Sequence, residues 1–110
     1  MKMRLRDKVA VITGAASGFG KGIAELFVNE GAKIVVADLN GEGARSIAEN
    51  LGDQAVAAQC DVARKADVQS MIETAVSSFG GLDILVNNAG ISQRGYVNKP
   101  VWMLIGGFLK

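Results

Sequence analysis

Three glycines lie close together at positions 14, 18 and 20, within the stretch TGAASGFG. They fall where a β-branched run ends and a helix-like pattern begins. The first turn of a helix carries unpaired N–H groups and the positive end of the helix dipole, which attract an anion. Gly14 would let the chain turn off the strand, Gly18 would let backbone approach a pyrophosphate, and Gly20 would let the helix pack closely on the sheet. The sequence therefore predicts a phosphate site. Ser17 would either add a hydroxyl to it or cap the helix, and both roles remain open.

The elements that position this turn are short aliphatic runs alternating with amphipathic stretches. Near-continuous apolar runs without polar alternation are typical of strands covered on both faces. The four runs begin at Val9, Ile34, Ala55 and Ile84. Strand–helix alternation with short connections gives right-handed crossovers, so the pattern predicts a βαβαβαβ unit with a parallel sheet.

Three stretches between these runs have an apolar face at helical spacing. The clearest stripe consists of Val68, Met71, Ile72, Ala75, Val76 and Phe79. Glycines at positions 31, 52 and 80 stand where the three helices should stop.

Composition excludes several classes of protein. The 110 residues suit one small domain, and 49% hydrophobic with 5% aromatic residues predicts an aliphatic core. A net charge of +1 argues against a nucleic-acid partner. The single Cys60 excludes an internal disulfide and suits a reducing compartment. The residues before Val9 are too few and too charged for a signal peptide, and the apolar run 101–109 is too short to span a bilayer. We therefore expect a cytoplasmic protein with no membrane partner.

Three motifs resemble those of the short-chain dehydrogenase/reductase family. TGAASGFG (13–20) is similar to that family's T-G-x-x-x-G-x-G, NNAG (87–90) follows the fourth strand, and CDV (60–62) follows the third. The resemblance covers about residues 6–91. It implies a Rossmann-type doubly wound parallel sheet with strand order 3-2-1-4. It also implies the NAD(H)-binding portion of an oxidoreductase that interconverts alcohols and carbonyls by hydride transfer.

The resemblance further implies which residues contact the cofactor. Asp61 would hold the adenine amino group, with Val62 along the ring. Asn87, Ala89 and Gly90 would lie along the nicotinamide ribose, while Asn88 would brace the sheet. Phe19 departs mildly from the family, which usually has an aliphatic residue there. The full expected set is Gly14, Ser17, Gly18, Phe19, Gly20, Asp38, Leu39, Asp61, Val62, Asn87, Ala89 and Gly90.

Asp38 predicts the choice of cofactor. It ends the second strand, 24 residues after Gly14, where a carboxylate can accept hydrogen bonds from both ribose hydroxyls of NAD. It would repel a 2′-phosphate by about 4 kcal/mol per unit-charge pair at 4 Å and an effective dielectric constant of 20. No Arg or Lys lies in the glycine turn or beside Asp38. The sequence therefore favours NAD over NADP; the alternative is a surface aspartate that starts a turn before Asn40.

The acid–base residues of the family have no matching position in this chain. The family removes the hydroxyl proton with a tyrosine whose pKa is lowered by a lysine four residues later. The sole tyrosine here is Tyr96, and Pro100 stands four residues later. Ser92 follows NNAG too closely to match the family serine. With no histidine and no metal-ligand cluster, we assign no catalytic residue and no metal, and expect this chain alone to be catalytically incompetent.

Residues 92–110 differ in character from the half-domain expected at 1–91. This apolar tail indicates either a truncated or frame-shifted coding sequence, or a short C-terminal element that packs on the sheet. Because the fourth strand of such a sheet is normally interior, we expect self-association through its exposed edge. A non-catalytic dinucleotide-binding or partner-binding module and a non-functional remnant remain alternative functions.

Overall fold

Four strands alternate with three α-helices in the computed structural model, which describes residues 4–88. A short 3-10 turn, Gly52–Gln54, leads into the third strand. The strands are β1 Val9–Thr13, β2 Lys33–Asp38, β3 Ala55–Gln59 and β4 Ile84–Asn87. The helices are α1 Gly18–Asn29, α2 Gly41–Leu51 and α3 Lys65–Phe79.

All pairings in the sheet are parallel, and the strand order is β3-β2-β1-β4. Val11 lies opposite Val35 on one side and Leu85 on the other, so the carboxyl ends of the strands meet at one edge. The predicted α/β fold and strand order are confirmed. Every residue of β1 is buried, as its apolar run predicted, because both faces of a parallel sheet are covered by helices.

The helices cover the two faces of the sheet and form two core clusters. Side chains alternate along a strand, so Val11 packs with α3 residues such as Met71 while Ile12 packs with α1 and α2 residues such as Ala24 and Ile47. With both faces covered, the carboxyl edge of β1 and β2 is left to meet a ligand.

The ends of the helices follow the glycines. Gly52 and Gly80, at φ +85° and +89°, form the C-caps of α2 and α3, while Gly31, at φ +96°, follows Glu30, the C-cap of α1. The stripe on α3 is narrower than predicted, since Val76 is 52% exposed. At 100° per residue Val76 lies on the outer margin of the stripe, and there the helix turns it away from the sheet.

Candidate cofactor site

The glycine turn connects β1 to α1 and lies against the end of β2. Gly14 has φ +64°, a left-handed conformation that glycine adopts readily. The Ala15 N–H donates to the Ala37 carbonyl at 3.0 Å, and the Ala16 N–H donates to Asp38 Oδ2 at 2.8 Å. These two bonds fix the position of the turn relative to the second strand.

Two glycines of the turn have different physical roles. A Cβ on Gly20 would meet the Gly14 carbonyl oxygen and would lie 2.6 Å from Ala15 Cα, so only glycine lets α1 lie this close to the turn. A Cβ on Gly18 would have no heavy atom within 4 Å. The packing of the protein therefore requires glycine at position 20, whereas position 18 faces open space.

Ser17 is the N-cap of α1, which is one of the two roles that the sequence left open. Its Oγ accepts from the Gly20 N–H at 3.2 Å and donates to the Gly14 carbonyl at 2.8 Å. The buried Asn88 amide also reaches this point, since its Nδ2 donates to the Gly14 carbonyl at 3.0 Å and to Ser17 Oγ at 3.2 Å. The end of β4 is thereby tied to the glycine turn.

Asp38 stands at the carboxyl end of β2 and is half-buried. Its Oδ2 accepts from Ala16 N and its Oδ1 accepts from Asn40 N, both at 2.8 Å. A carboxylate has about four acceptor positions, so each oxygen keeps a further lone pair for a ligand hydroxyl. Its backbone carbonyl accepts from the Cys60 N–H at 2.9 Å, which joins β3 to the same point.

Sequence reasoning offered the turn at Asn40 as its alternative for Asp38 but missed the bond from Ala16 N to the same carboxylate. An aspartate that bonds the N–H two residues later is a common turn signal, so the bond to Asn40 was predictable. The bond to Ala16 spans 22 residues and carries no local signal.

The segment after β3 places Asp61 beside Asp67. Asp61 Oδ1 accepts from Ala63 N at 3.0 Å, and Asp67 Oδ2 accepts from Asp61 N at 3.0 Å. Val62 is half-buried and packs against the α3 core cluster. Burial, and then the negative charges of Asp67 and Asp61, raise the pKa of Cys60 to about 11. The thiol is therefore protonated at neutral pH, in keeping with a small buried residue.

The end of β4 brings Asn87 next to β1. The buried Thr13 hydroxyl lies 3.3 Å from both the Val86 carbonyl and Asn87 Oδ1. Of the residues predicted to contact cofactor, Ala89 and Gly90 lie outside the described residues. The unmatched Ser92 and Tyr96 and the predicted tail at 92–110 lie outside them as well.

Two large apolar side chains are exposed beside these polar groups. Phe19, in the first turn of α1, is 76% exposed, and Leu39, directly after Asp38, is 65% exposed. Within residues 4–88 no group of three or more His, Cys, Asp or Glu side chains could hold a metal ion. No helix in that same part of the chain is long and apolar enough to cross a membrane.

A parallel sheet with a glycine turn and an acidic residue at its carboxyl edge is the nucleotide-binding class of α/β fold. The short chain dehydrogenase family matches residues 8–101, and the chain belongs to this family.

Similar proteins include borneol dehydrogenase, mitochondrial, of Lavandula x intermedia, which is 53% identical over 81% of this chain and 34% of its own length. Tropinone reductase-like 1 of Erythroxylum coca is 48% identical over 80% of this chain and 32% of its own length. The chain thus spans about a third of the curated relatives it matches.

Two solved structures of oxidoreductases are also similar to this chain. A 3-ketoacyl-(acyl-carrier-protein) reductase of Brucella melitensis, complexed with NADH, is 51% identical with a TM-score of 0.76, over 78% of this chain and 36% of that one. A glucose/ribitol dehydrogenase of the same organism is 38% identical with a TM-score of 0.77, over 84% of this chain and 40% of that one.

Proposed function

We propose that this chain binds NAD at the carboxyl edge of its sheet, with the glycine turn at the pyrophosphate and Asp38 at the adenosine ribose. The observation that carries the proposal is the 2.8 Å bond from Ala16 N to Asp38 Oδ2. It makes the phosphate turn and the ribose acceptor one fixed unit. Membership of a family that binds nicotinamide dinucleotides supports the same assignment.

The remaining predicted contacts extend the proposal around the cofactor. Asp61 and Val62 would meet the adenine, and Asn87, Ala89 and Gly90 would meet the nicotinamide ribose. The exposed rings and methyl groups of Phe19 and Leu39 give the cofactor apolar surface to cover. The proposed cofactor-binding half-domain is residues 1–91.

NAD is proposed over NADP because Asp38 carries a negative charge where a 2′-phosphate would lie. One cation, Arg45, lines a groove of about 520 Å³ that Leu39 and Asn40 also line, but Glu42 lines the same groove. These two opposite charges offset each other, so the groove offers no net positive charge to a 2′-phosphate.

In the whole protein, this site would serve hydride transfer between an alcohol or carbonyl and the nicotinamide. The chain's own residues would bind and orient the cofactor, since the acid–base set of the family has no match among its 110 residues. Its free, buried Cys60 supports the cytoplasmic location expected from the sequence.

Calorimetric titration of the full chain with NAD and with NADP tests the proposal. We expect NAD to bind at least about tenfold more tightly, a margin that allows for solvent screening of the charge repulsion. Asp38→Ala should narrow this difference, and the matched control is Asp53→Ala, because Asp53 is exposed in the 3-10 turn. Equal or tighter binding of NADP would refute the role of Asp38.

Self-association through β4 is also part of the proposal. Among the described residues β4 pairs with β1 alone, and all four of its residues are only half-buried. An exposed parallel edge is a template for another chain. Light scattering after size exclusion should give a mass above 11.5 kDa; a stable monomer would contradict it.

A further inference from the structure

The Ser17 hydroxyl has all of its hydrogen-bonding positions occupied within the protein. A serine hydroxyl offers one proton and two lone pairs. The proton goes to the Gly14 carbonyl at 2.8 Å, and the lone pairs accept from Gly20 N and Asn88 Nδ2, both at 3.2 Å. Although Ser17 is exposed, its hydroxyl has no donor left for a phosphate oxygen.

Asn88 donates hydrogen bonds to both Ser17 and Gly14 from the end of β4. Asn88 is 5% exposed. Its side-chain nitrogen donates to Gly14 and Ser17, which precede it in the chain by 74 and 71 positions. The Gly14 carbonyl accepts from Asn88 Nδ2, Ser17 Oγ and Ser17 N. Removing the buried amide would take one donor from the Gly14 carbonyl and one from Ser17 Oγ, and the donors that remain all belong to the turn and α1, so the link between the turn and the end of β4 depends on it.

The capped end of α1 leaves two N–H groups for an anion. Ser17 already holds the N–H groups of Gly20, through Oγ, and of Lys21, through its carbonyl at 2.8 Å. Of the first four N–H groups of the helix, those of Gly18 and Phe19 remain. They lie where position 18 faces open space.

We propose that Ser17 and Asn88 are positioning residues that act as one unit. Together they hold the glycine turn so that the Gly18 and Phe19 N–H groups face the pyrophosphate, and the Ser17 hydroxyl itself makes no phosphate contact. The inference rests on the proposed binding of NAD. It predicts that the two side chains depend on each other energetically although they are far apart in the chain.

A double-mutant cycle on the full chain tests this dependence. We expect Ser17→Ala and Asn88→Ala each to weaken NAD binding about fivefold, the scale of a lost N-cap. The double variant should be no weaker than the weaker single variant, because either change releases the same turn. Ser17→Thr, which keeps the hydroxyl, should bind within about twofold of the parent chain. If the effects multiply to about 25-fold, Ser17 contacts the phosphate independently and the proposal fails.

Two controls separate positioning from loss of fold. Ser46→Ala and Asn50→Ala change exposed residues of α2 and should leave NAD affinity unchanged. If circular dichroism shows that Asn88→Ala is unfolded, Asn88→Leu, which keeps the side-chain volume, takes its place in the cycle with the same expectation.

Amide hydrogen exchange of the ligand-free chain gives a second readout that needs no cofactor. Asn88→Ala should speed exchange at Gly20 N–H, which bonds to Ser17 Oγ and not to Asn88. Unchanged exchange there would overturn the positioning unit. Failure of the parent chain to bind NAD would refute the proposed function instead, and the exchange result would still decide whether Ser17 and Asn88 act together.

Discussion

Replacing Asp38 with asparagine separates the charge of this side chain from its shape. Both carboxylate oxygens accept a backbone N–H, from Ala16 and Asn40, at 2.8 Å. Asparagine has one oxygen, so its NH₂ group must face one of these two donors. The bond to Ala16 is part-buried and the bond to Asn40 is exposed. The oxygen should therefore turn toward Ala16, and water should serve Asn40.

The magnitudes follow from these two environments. A buried donor left without a partner costs about 1–3 kcal/mol, and exposure of Asn40 puts this case at about 1 kcal/mol in the free energy of unfolding. A ribose hydroxyl bond to a charged acceptor contributes about 1.5–3 kcal/mol, so NAD affinity should fall by about tenfold or more. NADP loses the repulsion as well as the acceptor, so its affinity should change far less.

Urea denaturation and paired NAD and NADP titrations of Asp38→Asn measure the two effects separately. Asp53→Asn is the matched control, since it removes the same charge from an exposed position in the 3-10 turn. We expect the ratio of NADP to NAD dissociation constants to shrink by about tenfold in Asp38→Asn alone. An unchanged ratio, with stability reduced as predicted, would show that Asp38 shapes the turn but does not choose the cofactor.

Three further predictions concern packing, the buried thiol and chemistry. Gly20→Ala should lower the free energy of unfolding by more than about 2 kcal/mol, because its Cβ would meet the Gly14 carbonyl. In the same helix, a Cβ on Gly22 would have no heavy atom within 4 Å, so Gly22→Ala should raise the free energy of unfolding by about 0.5–1 kcal/mol. Equal denaturation midpoints for the two variants would contradict the close approach of α1 to the glycine turn. The folded state raises the pKa of Cys60 from 9.0 to about 11. Between these values the unfolded thiol loses its proton first, so unfolding free energy should fall as pH rises from 9 to 11. This slope should be smaller in Cys60→Ala, and an identical slope would assign it to other groups. The purified chain should not oxidise secondary alcohols or reduce ketones, followed at the nicotinamide absorbance band; turnover that disappears in Gly14→Trp would refute this.

Local sequence patterns predicted the fold because its determinants are local. Buried aliphatic runs such as residues 9–13 indicate parallel strands, and glycines with positive φ, such as Gly52 and Gly80, ended the helices as predicted. The exposure of Val76 was missed because helical periodicity gives the direction of a stripe better than its width.

The cofactor role of the glycine turn and Asp38 stays a prediction from the sequence, whereas the hydrogen bonds among these residues could not be predicted from it. Both roles of Ser17 fitted the sequence equally well. The structure shows the cap, and the pairing of β1 with β4 brings Asn88, 71 positions later in the chain, to the same hydroxyl. The bond between Asp38 and Ala16 is likewise a product of the β1–β2 register. Such contacts depend on tertiary geometry, which no local pattern specifies.

The most direct test of NAD binding at this edge is a titration of the isotope-labelled chain followed by backbone amide chemical shifts. We expect the largest changes at Gly18 and Phe19, in the first turn of α1, and at Asn40, just after β2. Lys33 and Ile84, at the opposite ends of their strands, should stay unchanged. Shifts confined to those opposite ends, or no shifts at millimolar NAD in a folded chain, would contradict it.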